Sequence, residues 1–573
     1  MLVTVTALSF VNAWPDEVVL DDKFFVNNQH LPDWTEPAEL FRGDVWRTVG
    51  SQSGLYRPAL LLSLSLDTRL FGGWLPGYHL SNILLHLLVT LLVYGFLRHL
   101  LQAAPQQTAR PDLYALLAAL VFAVHPVHTE VVNSVFNRSD MLVSLGAVAG
   151  LWWLLHFLET HPARAWAGLA VGYLFALFSK ENAVVIPGLA VILILLLSTA
   201  SWGQRIRRSI PVLWMLLPLG LYLYMRAHAL APTAAETGDG VVRVTEMVSE
   251  VRIMRPENLL TLLGNWGIGL KLMVWPHPLQ LNYPALSTAA AVASVGAQLA
   301  LIVAGLAQLR RGRSALLAGL AWFYLALLLA SRLFSHKDAD PHLAERYLYF
   351  PSVGAALALA FALTWLGARL GPRRVVLMIL LILAVMMPLT WVRNNEWGTD
   401  LRLFETEYRR SGSYPETLRF LTGGALRRGN AARAAEICDR HAALIDHNAG
   451  LARHCGQAYA SLGRPEDAEH AFLAASARVP DPASTSNLAL LYLSQGRRLD
   501  AIVQFQRAID QEQHPAIKNL RRGFQLAYLF PGDPESLAKA RDYFEEAYRM
   551  EPLLRAANGW AKKMDQALEA LED

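Results

Sequence analysis

The sequence is poor in charge, in cysteine and in the motifs of soluble catalysis. Of 573 residues only 17% are Asp, Glu, Lys or Arg, against 54% in the hydrophobic set. A soluble globular domain is about 25% charged, so a single soluble enzyme is excluded; the apolar content excludes a disordered chain. Two cysteines cannot build a disulfide scaffold or a four-cysteine zinc site. No GxxxxGK(S/T) phosphate loop, HExxH or GxSxG motif occurs. The net charge is +4, and no run of five like charges occurs. Basic residues form short clusters between apolar runs, which orients membrane proteins and does not resemble a nucleic-acid footprint.

What charge there is lies unevenly. Residues 393–573 hold 49 of the 98 charged side chains, and the first 392 residues hold the other 49. The tail has the charge density of a soluble domain, whereas the front carries repeated apolar runs long enough to span a bilayer. Spans are expected near 75–98, 111–124, 140–158, 164–179, 183–200, 209–228, 286–308, 314–331, 349–369 and 373–391. Leu2 to Ala13 is apolar but short, and reads as a first span clipped by a late start. Residues 258–276 either cross or lie in the interface. Arg98/Arg110, Arg164, Arg205/Arg207/Arg208, Arg310/Arg311/Arg313 and Arg369/Arg373/Arg374 fall between alternate pairs of spans. The positive-inside rule puts these five loops in the cytoplasm. Eleven crossings follow, with the N-terminus in and the C-terminus out. Loops 15–74, 125–139, 180–182, 229–285 and 332–348 then share the outer face.

The tail repeats at a period near 34. Gly429, Gly463 and Gly496 keep one register, as do Ala434, Ala468 and Ala501. Phe472-x2-Ala475 recurs as Phe505-x2-Ala508 and Phe544-x2-Ala547, and Pro480, Pro515 and Pro552 are expected to close the units. Small residues let paired helices approach and aromatics fill between them, which is the tetratricopeptide pattern. Three to four units fit. Such arrays present a groove for a peptide or partner. Cys438 and Cys455 belong on adjacent helices, where they could pair or remain two buried thiols.

Most polar residues near the membrane collect on the outer face, although only Arg and Lys were used to orient the chain. Asp21 and Asp22 follow the first span; adjacent carboxylates there are either solvated or used, one as a base and the other as its partner. His79, Asn82 and His86 share one stripe of a span. The stretch 122–140 holds His125, His128, Glu130, Asn137, Arg138 and Asp140. His-x-x-His-x-Glu raises a metal site, but Pro126 interrupts the helix that such spacing needs. Arg138 could pair with Asp140 or hold a phosphate. Lys180 and Glu181 sit between two spans, as a snorkelling pair or a phosphate cation. Arg346, with Glu345 and Tyr347, opens a span from outside, as an ion pair with Glu345 or a contact for a lipid phosphate. Together these groups suit transfer of a group off a lipid phosphate: cations to meet the leaving charge and a carboxylate to accept a proton.

The order LDD (20–22), YRP (56–58), GYHLSN-LLH (77–86), HPVHTE-V-N-RSD (125–140), SKEN (179–182) and AERYLYFPSVG (344–354), followed by tetratricopeptide repeats, resembles the transmembrane-and-tetratricopeptide-repeat O-mannosyltransferases. These are C-fold glycosyltransferases related to protein O-mannosyltransferases. The composition suggests a bacterial member. The resemblance implies an inverting transferase that takes a sugar, usually mannose, from a polyprenyl- or dolichyl-phosphate donor to Ser or Thr hydroxyls of extracytoplasmic proteins. It makes Asp21 the base and Asp22 its partner, and requires no metal or resident cofactor. His79, Arg138, Lys180 and Arg346 would shape the donor-phosphate site, with His125, His128, Glu130, Asp140 and Glu181 beside them. Three departures stand out: the first span is short, Asn137-Arg138 replaces a common Gly-Arg, and the repeat array is modest.

The expectation is therefore an all-α polytopic membrane protein. Residues 1–392 form a C-fold transferase domain and 393–573 an extracytoplasmic repeat domain, in a bacterial inner membrane. Its partners would be the lipid-linked sugar, an acceptor protein in the repeat groove and membrane lipids, with no nucleic acid. Rival readings are transfer to a lipid or envelope glycan and a non-catalytic assembly scaffold. A transporter would show internal inverted repeats, which the sequence lacks.

Overall fold

The computed structural model describes the protein except residues 27, 29–30, 33–34, 50–53, 104–109, 231–251, 254–258, 284–285, 311–313, 331–333, 336–342, 413, 479, 552–553 and 573. Arg311, Arg313, Pro552 and much of the expected outer loops 229–285 and 332–348 lie outside the described residues. The chain divides into two compact units, Met1–Arg402 and Leu403–Asp573. The division falls at 402/403 rather than 392/393. The last membrane helix, Pro372–Glu396, runs past 392, and the segment after it is stitched to the first loop: Asp16 and Glu17 donate their N–H groups to Gly398 O at 3.0 and 3.4 Å.

Both units are helical. The described exception is a two-residue antiparallel ladder, Arg252–Ile253 with Phe334–Ser335. Among the described residues of the first unit, six helices are long and apolar enough to cross a bilayer: Leu75–Ala103, Arg138–Phe157, Trp202–Leu230, Thr288–Leu309, Glu345–Leu370 and Pro372–Glu396. A seventh span is bent by 51° where Pro111–Val124 meets Pro126–Asn133. Pro126 has no N–H to continue the helical ladder, so the chain turns there. The other four expected crossings correspond to the shorter or less apolar helices Leu2–Ser9, Pro162–Ser179, Glu181–Leu197 and Ala315–Leu328. Residues 258–276 yield a 16-residue helix, Leu259–Val274. By length and composition the structure supports six or seven of the eleven expected spans.

Small residues bring the helices together. At the crossing of Arg138–Phe157 with Pro162–Ser179, a Cβ on Gly172 would lie 2.6 Å from Gly146 O and 2.9 Å from Gly150 Cα. At the crossing of Ala315–Ala330 with Tyr349–Leu370, a Cβ on Gly319 or on Gly354 would likewise lie 2.6 Å from the other's carbonyl oxygen. Lipid gives no hydrophobic drive between helices, so close packing of small residues supplies contact that bulkier ones would block.

The second unit stacks helix pairs: Pro415–Arg427 with Ala431–Arg440, Ala449–Ser461 with Pro465–Arg478, Pro482–Ser494 with Arg498–Gln511, and Pro515–Leu529 with Pro534–Met550. Arg555–Glu572 follows. The glycines that set the repeat have left-handed backbones, with φ of +73° at Gly429, +70° at Gly463 and +77° at Gly496. After each, the next N–H bonds back five residues, as in Arg464 N to Tyr459 O at 2.9 Å, which closes the first helix of the pair in a Schellman turn. The repeat alanines and Phe472, Phe505 and Phe544 are buried. Pro515 does not close a unit as expected; it is the first residue of the next helix, where its missing N–H costs nothing. Cys438 and Cys455 form a disulfide between neighbouring helices, with Cα atoms 5.7 Å apart.

Candidate active site

The paired aspartates lie on a 3-10 turn, Leu20–Phe24, and the turn gives them opposite surroundings. Asp22 points inward and is 2% exposed. Its carboxylate accepts from Val135 N at 2.7 Å, Phe136 N at 2.8 Å and Ser134 Oγ at 3.1 Å. It thereby caps the turn between the bent span and Arg138–Phe157. Burial pushes the Asp22 carboxyl up to about 7, against the pull of these three hydrogen bonds. Asp21 is exposed, and among the described residues no hydrogen bond or ion pair engages its carboxylate. The protein crowded around it displaces enough water to raise its pKa. Arg346 and Lys23 oppose that shift, while Glu130 adds to it.

The turn is held from outside. Asp400 accepts from Leu20 N at 2.9 Å and forms an ion pair with Lys23. Leu20 has φ +53°, the one left-handed non-glycine among the described residues. That conformation costs a leucine about 1–2 kcal/mol and persists where the surroundings hold it, as they do at many functional sites.

Asp21 lies within electrostatic reach of the Arg346–Glu130 ion pair, the nearest of a connected set of three. Arg346 Nη1 meets Glu130 Oε1 at 2.5 Å, and its own N–H meets Glu130 Oε2 at 2.9 Å. Lys180 Nζ bridges both oxygens of Asp140, at 2.8 and 2.7 Å. Arg57 grips Glu181 in a fork at 3.0 and 2.7 Å. Tyr347 joins two of these pairs: the Arg346 guanidinium stands 4.9 Å and Lys180 Nζ 5.8 Å from its ring centre. Arg57 and Arg346 also lie within electrostatic reach of Asp140. Three cations and three carboxylates balance, which leaves Asp21 as the unmatched charge of this group.

The structure thus brings together Asp21, Glu130, Asp140, Lys180, Glu181 and Arg346, with Asp22 anchoring the loop beneath. It sorts the other candidates elsewhere. Arg138 is buried and fully committed: Asp67 Oδ2 at 2.5 Å, Asn82 Oδ1 at 2.6 Å, and the Tyr78 and Ser63 carbonyls at 3.1 and 3.2 Å. Its carboxylate partner is Asp67 rather than Asp140, because Asp140 is taken by Lys180. His79 is buried near Arg138, and its Nδ1 has no partner among the described residues. The His-x-x-His-x-Glu set is pulled apart by the bend at Pro126. His125 Nε2 reaches Met273 O at 3.2 Å, His128 Nε2 reaches Ser352 Oγ at 2.9 Å, and Glu130 goes to Arg346. Among the described residues no group of three or more His, Cys, Asp or Glu side chains is placed to hold a metal ion. Glu345 pairs not with Arg346 but with Arg393, at 2.9 Å, and Arg393 also holds Glu396 at 2.7 Å.

Several structural partners were not singled out from sequence. Asp67 and Asp400 sit in unremarkable contexts, and Arg57 drew notice only within its YRP triplet. Asn82, by contrast, was singled out with His79 and His86, and it ties Arg138 to the 132–134 segment, donating to Val132 O and Ser134 O at 3.0 Å each. Its place on the His79 stripe was the available signal.

A polytopic helical membrane unit with an open aspartate beside a carboxylate-braced cation cluster, followed by a tetratricopeptide array, defines a membrane protein with a repeat domain and a candidate transfer site. No family model matches the chain. It is 27% identical to the human "Protein O-mannosyl-transferase TMTC4" over 455 residues, 70% of this chain and 60% of that one. It is 23% identical to "Protein O-mannosyl-transferase F38B6.6" of Caenorhabditis elegans over 71% of this chain and 56% of that one. Human "Protein O-mannosyl-transferase TMTC2" is 32% identical over 183 residues, 30% of this chain and 21% of its own. The chain is thus similar in sequence to proteins named protein O-mannosyl-transferases. It spans 60% or less of the length of these three relatives. The solved structure "Crystal structure of APC/C hetero-tetramer Cut9-Hcn1" aligns over 88% of this chain with 14% identity and a TM-score of 0.26, too slight a likeness to argue from.

Proposed function

We propose that the protein is an inverting glycosyltransferase that moves a hexose, mannose by its homology, from a polyprenyl-phosphate donor to Ser or Thr hydroxyls of extracytoplasmic proteins. The observation that carries this reading is Asp21: an unengaged carboxylate of raised pKa, beside Arg346, in a homologue of protein O-mannosyl-transferases.

Asp21 accepts the proton of the acceptor hydroxyl as its oxygen attacks the anomeric carbon from the face opposite the phosphate. The new C–O bond forms as the bond from the anomeric carbon to the phosphate oxygen breaks. The lipid phosphate leaves with the electron pair, and the sugar inverts. The added negative charge falls to the N–H groups of Arg346 and Lys180 that their carboxylates leave unused. Glu130, Asp140 and Glu181 fix those cations and Arg57 in place, a preorganisation that avoids rearrangement during reaction. The three carboxylates are occupied by cations, so the reading asks for no metal. Arg138, His79, His125 and His128 act through the scaffold. The outer-face site and the repeat unit face the periplasm of a bacterial inner membrane, where the repeats offer acceptor polypeptides.

The test uses the purified full-length protein, polyprenyl-phosphate mannose and a pool of periplasmic proteins. Mass spectrometry should find hexose on Ser or Thr, in the anomeric configuration opposite to the donor's. Retention of the donor's configuration would sink the inverting mechanism. Donor left intact, with and without acceptor, would sink the transferase reading.

A further inference from the structure

We infer that Asp400 is a positioning residue for the reaction: it clamps the Leu20–Phe24 turn from both sides so that Asp21 alone projects unengaged. The inference rests on the reading of Asp21 as the base and adds a residue that no resemblance assigns.

The geometry is specific. One carboxylate bridges the residue before the aspartate pair and the residue after it. Asp400 Oδ1 accepts from Leu20 N at 2.9 Å, and Oδ2 pairs with Lys23 Nζ. Asp400 is itself held, its N–H donating to Glu17 Oε1 at 2.8 Å. The adjacent backbone is stitched to the same stretch, through Asp16 and Glu17 N–H to Gly398 O. Asp400 is buried, with 7% exposure, which shields these interactions from competing water. The residue whose N–H it captures is the left-handed Leu20. A leucine leaves that conformation unless the surroundings over-determine it, and doing so would swing the following residue, Asp21. From the inner side, Asp22 is fixed to Val135 and Phe136. Leu20, Asp22 and Lys23 are thus each tied down while Asp21 is not. Asp400 also occupies Lys23, one of the two cations that bear on Asp21. It therefore sets how much positive charge the base feels, as well as where the base stands.

The experiment compares wild type, Asp400→Ala, Asp400→Asn and Asp21→Asn in the full-length protein. Hydrogen exchange of peptides covering 17–26 and 134–140 reads the loop without needing turnover. Asp400→Ala should speed exchange in 17–26 about tenfold or more and leave 134–140 protected. With polyprenyl-phosphate mannose as donor, Asp400→Ala should lower kcat by about 100-fold, the usual scale for a displaced catalytic group, with KM for the donor little changed. Asp400→Asn retains an acceptor for Leu20 N and should keep much more activity. Because it leaves the Lys23 charge uncompensated, the acid limb of its pH profile should move to lower pH, which a merely structural role would not produce. Unchanged exchange in Asp400→Ala overturns the clamp whatever the activity shows. Loosened exchange with unchanged kcat, or a kcat loss with no shift in the Asn variant's profile, overturns the positioning role. An active Asp21→Asn would instead defeat the base reading, and is distinguished from these by leaving the exchange result standing.

Discussion

Both units carry charge pairs at their surfaces, but the most deeply buried pairs belong to the membrane unit. In the membrane unit, Arg138 with Asp67 and Arg393 with Glu345 are almost completely buried. In the repeat unit, Arg464 with Asp439, Arg433 with Glu436 and Lys539 with Glu535 ride on the surface, each side chain at least 39% exposed. Surface pairs gain little, because water and salt screen them. Buried pairs must repay the loss of hydration and become costly once one member is removed. The membrane unit uses its buried charges to fix a site, whereas the repeat unit relies on glycine turns, alanine contacts and aromatic filling, with most of its charge pairs at the surface and Arg521–Glu512 largely covered. An unpaired carboxylate is therefore ordinary in the second unit and informative in the first.

Substitutions on each side should expose this asymmetry. Arg138→Leu strands Asp67 and Asn82 in the interior, and should cost about 3–5 kcal/mol, read as a large fall in melting temperature in detergent. A fall no greater than that of a surface variant would erase the contrast. Reducing the Cys438–Cys455 bond, 17 residues apart, should destabilise the repeat unit by about 3 kcal/mol through the freed chain. Thermal unfolding with and without reductant measures it. Asp22 predicts a pH effect. Its carboxyl is raised in the folded state from 3.8 to about 7, so between those values the folded state binds more protons than the unfolded one. Its contribution to stability is therefore full at low pH and is lost as pH rises through about 7. Comparing melting temperature against pH for wild type and Asp22→Asn should show that component vanish in the variant. The smallest effect belongs to Arg464→Ala, which should move the melting temperature by about 1 °C or less. A larger shift would mean that the surface pairs carry more than the comparison allows.

Legibility in the sequence followed the same division. The repeats were legible because their signal is local: a glycine, an alanine and an aromatic recur in register, and each acts on near neighbours. The spans were legible where a run is long and apolar; 258–276 stayed open and is a 16-residue helix, while the expected spans 164–179 and 314–331 are helices that fall short in length or apolarity. The charge pairings were not legible. Arg346 meets Glu130 across 216 residues and Arg57 meets Glu181 across 124, so adjacency suggested Glu345 and Asp140 as partners where packing chose others. The Asp21-Asp22 motif could be read from the chain, but the division of labour within it could not. It is decided by the Ser134 hydroxyl and the Val135 and Phe136 N–H groups, more than 110 residues away. The turn that Pro126 imposes also scattered a histidine pattern that spacing alone had brought together.

The most direct test of the account sets the two aspartates against each other. Asp21→Asn and Asp22→Asn would be purified in full length and assayed for mannose transfer from polyprenyl-phosphate mannose and for melting temperature. Asp21→Asn should lose transfer by about 100-fold or more, the scale of a missing general base, with its melting temperature near that of wild type. Asp22→Asn should melt lower, because Val135 N–H loses its acceptor. Transfer by Asp21→Asn at close to the wild-type rate would contradict the assignment of the base and, with it, the reading of the site.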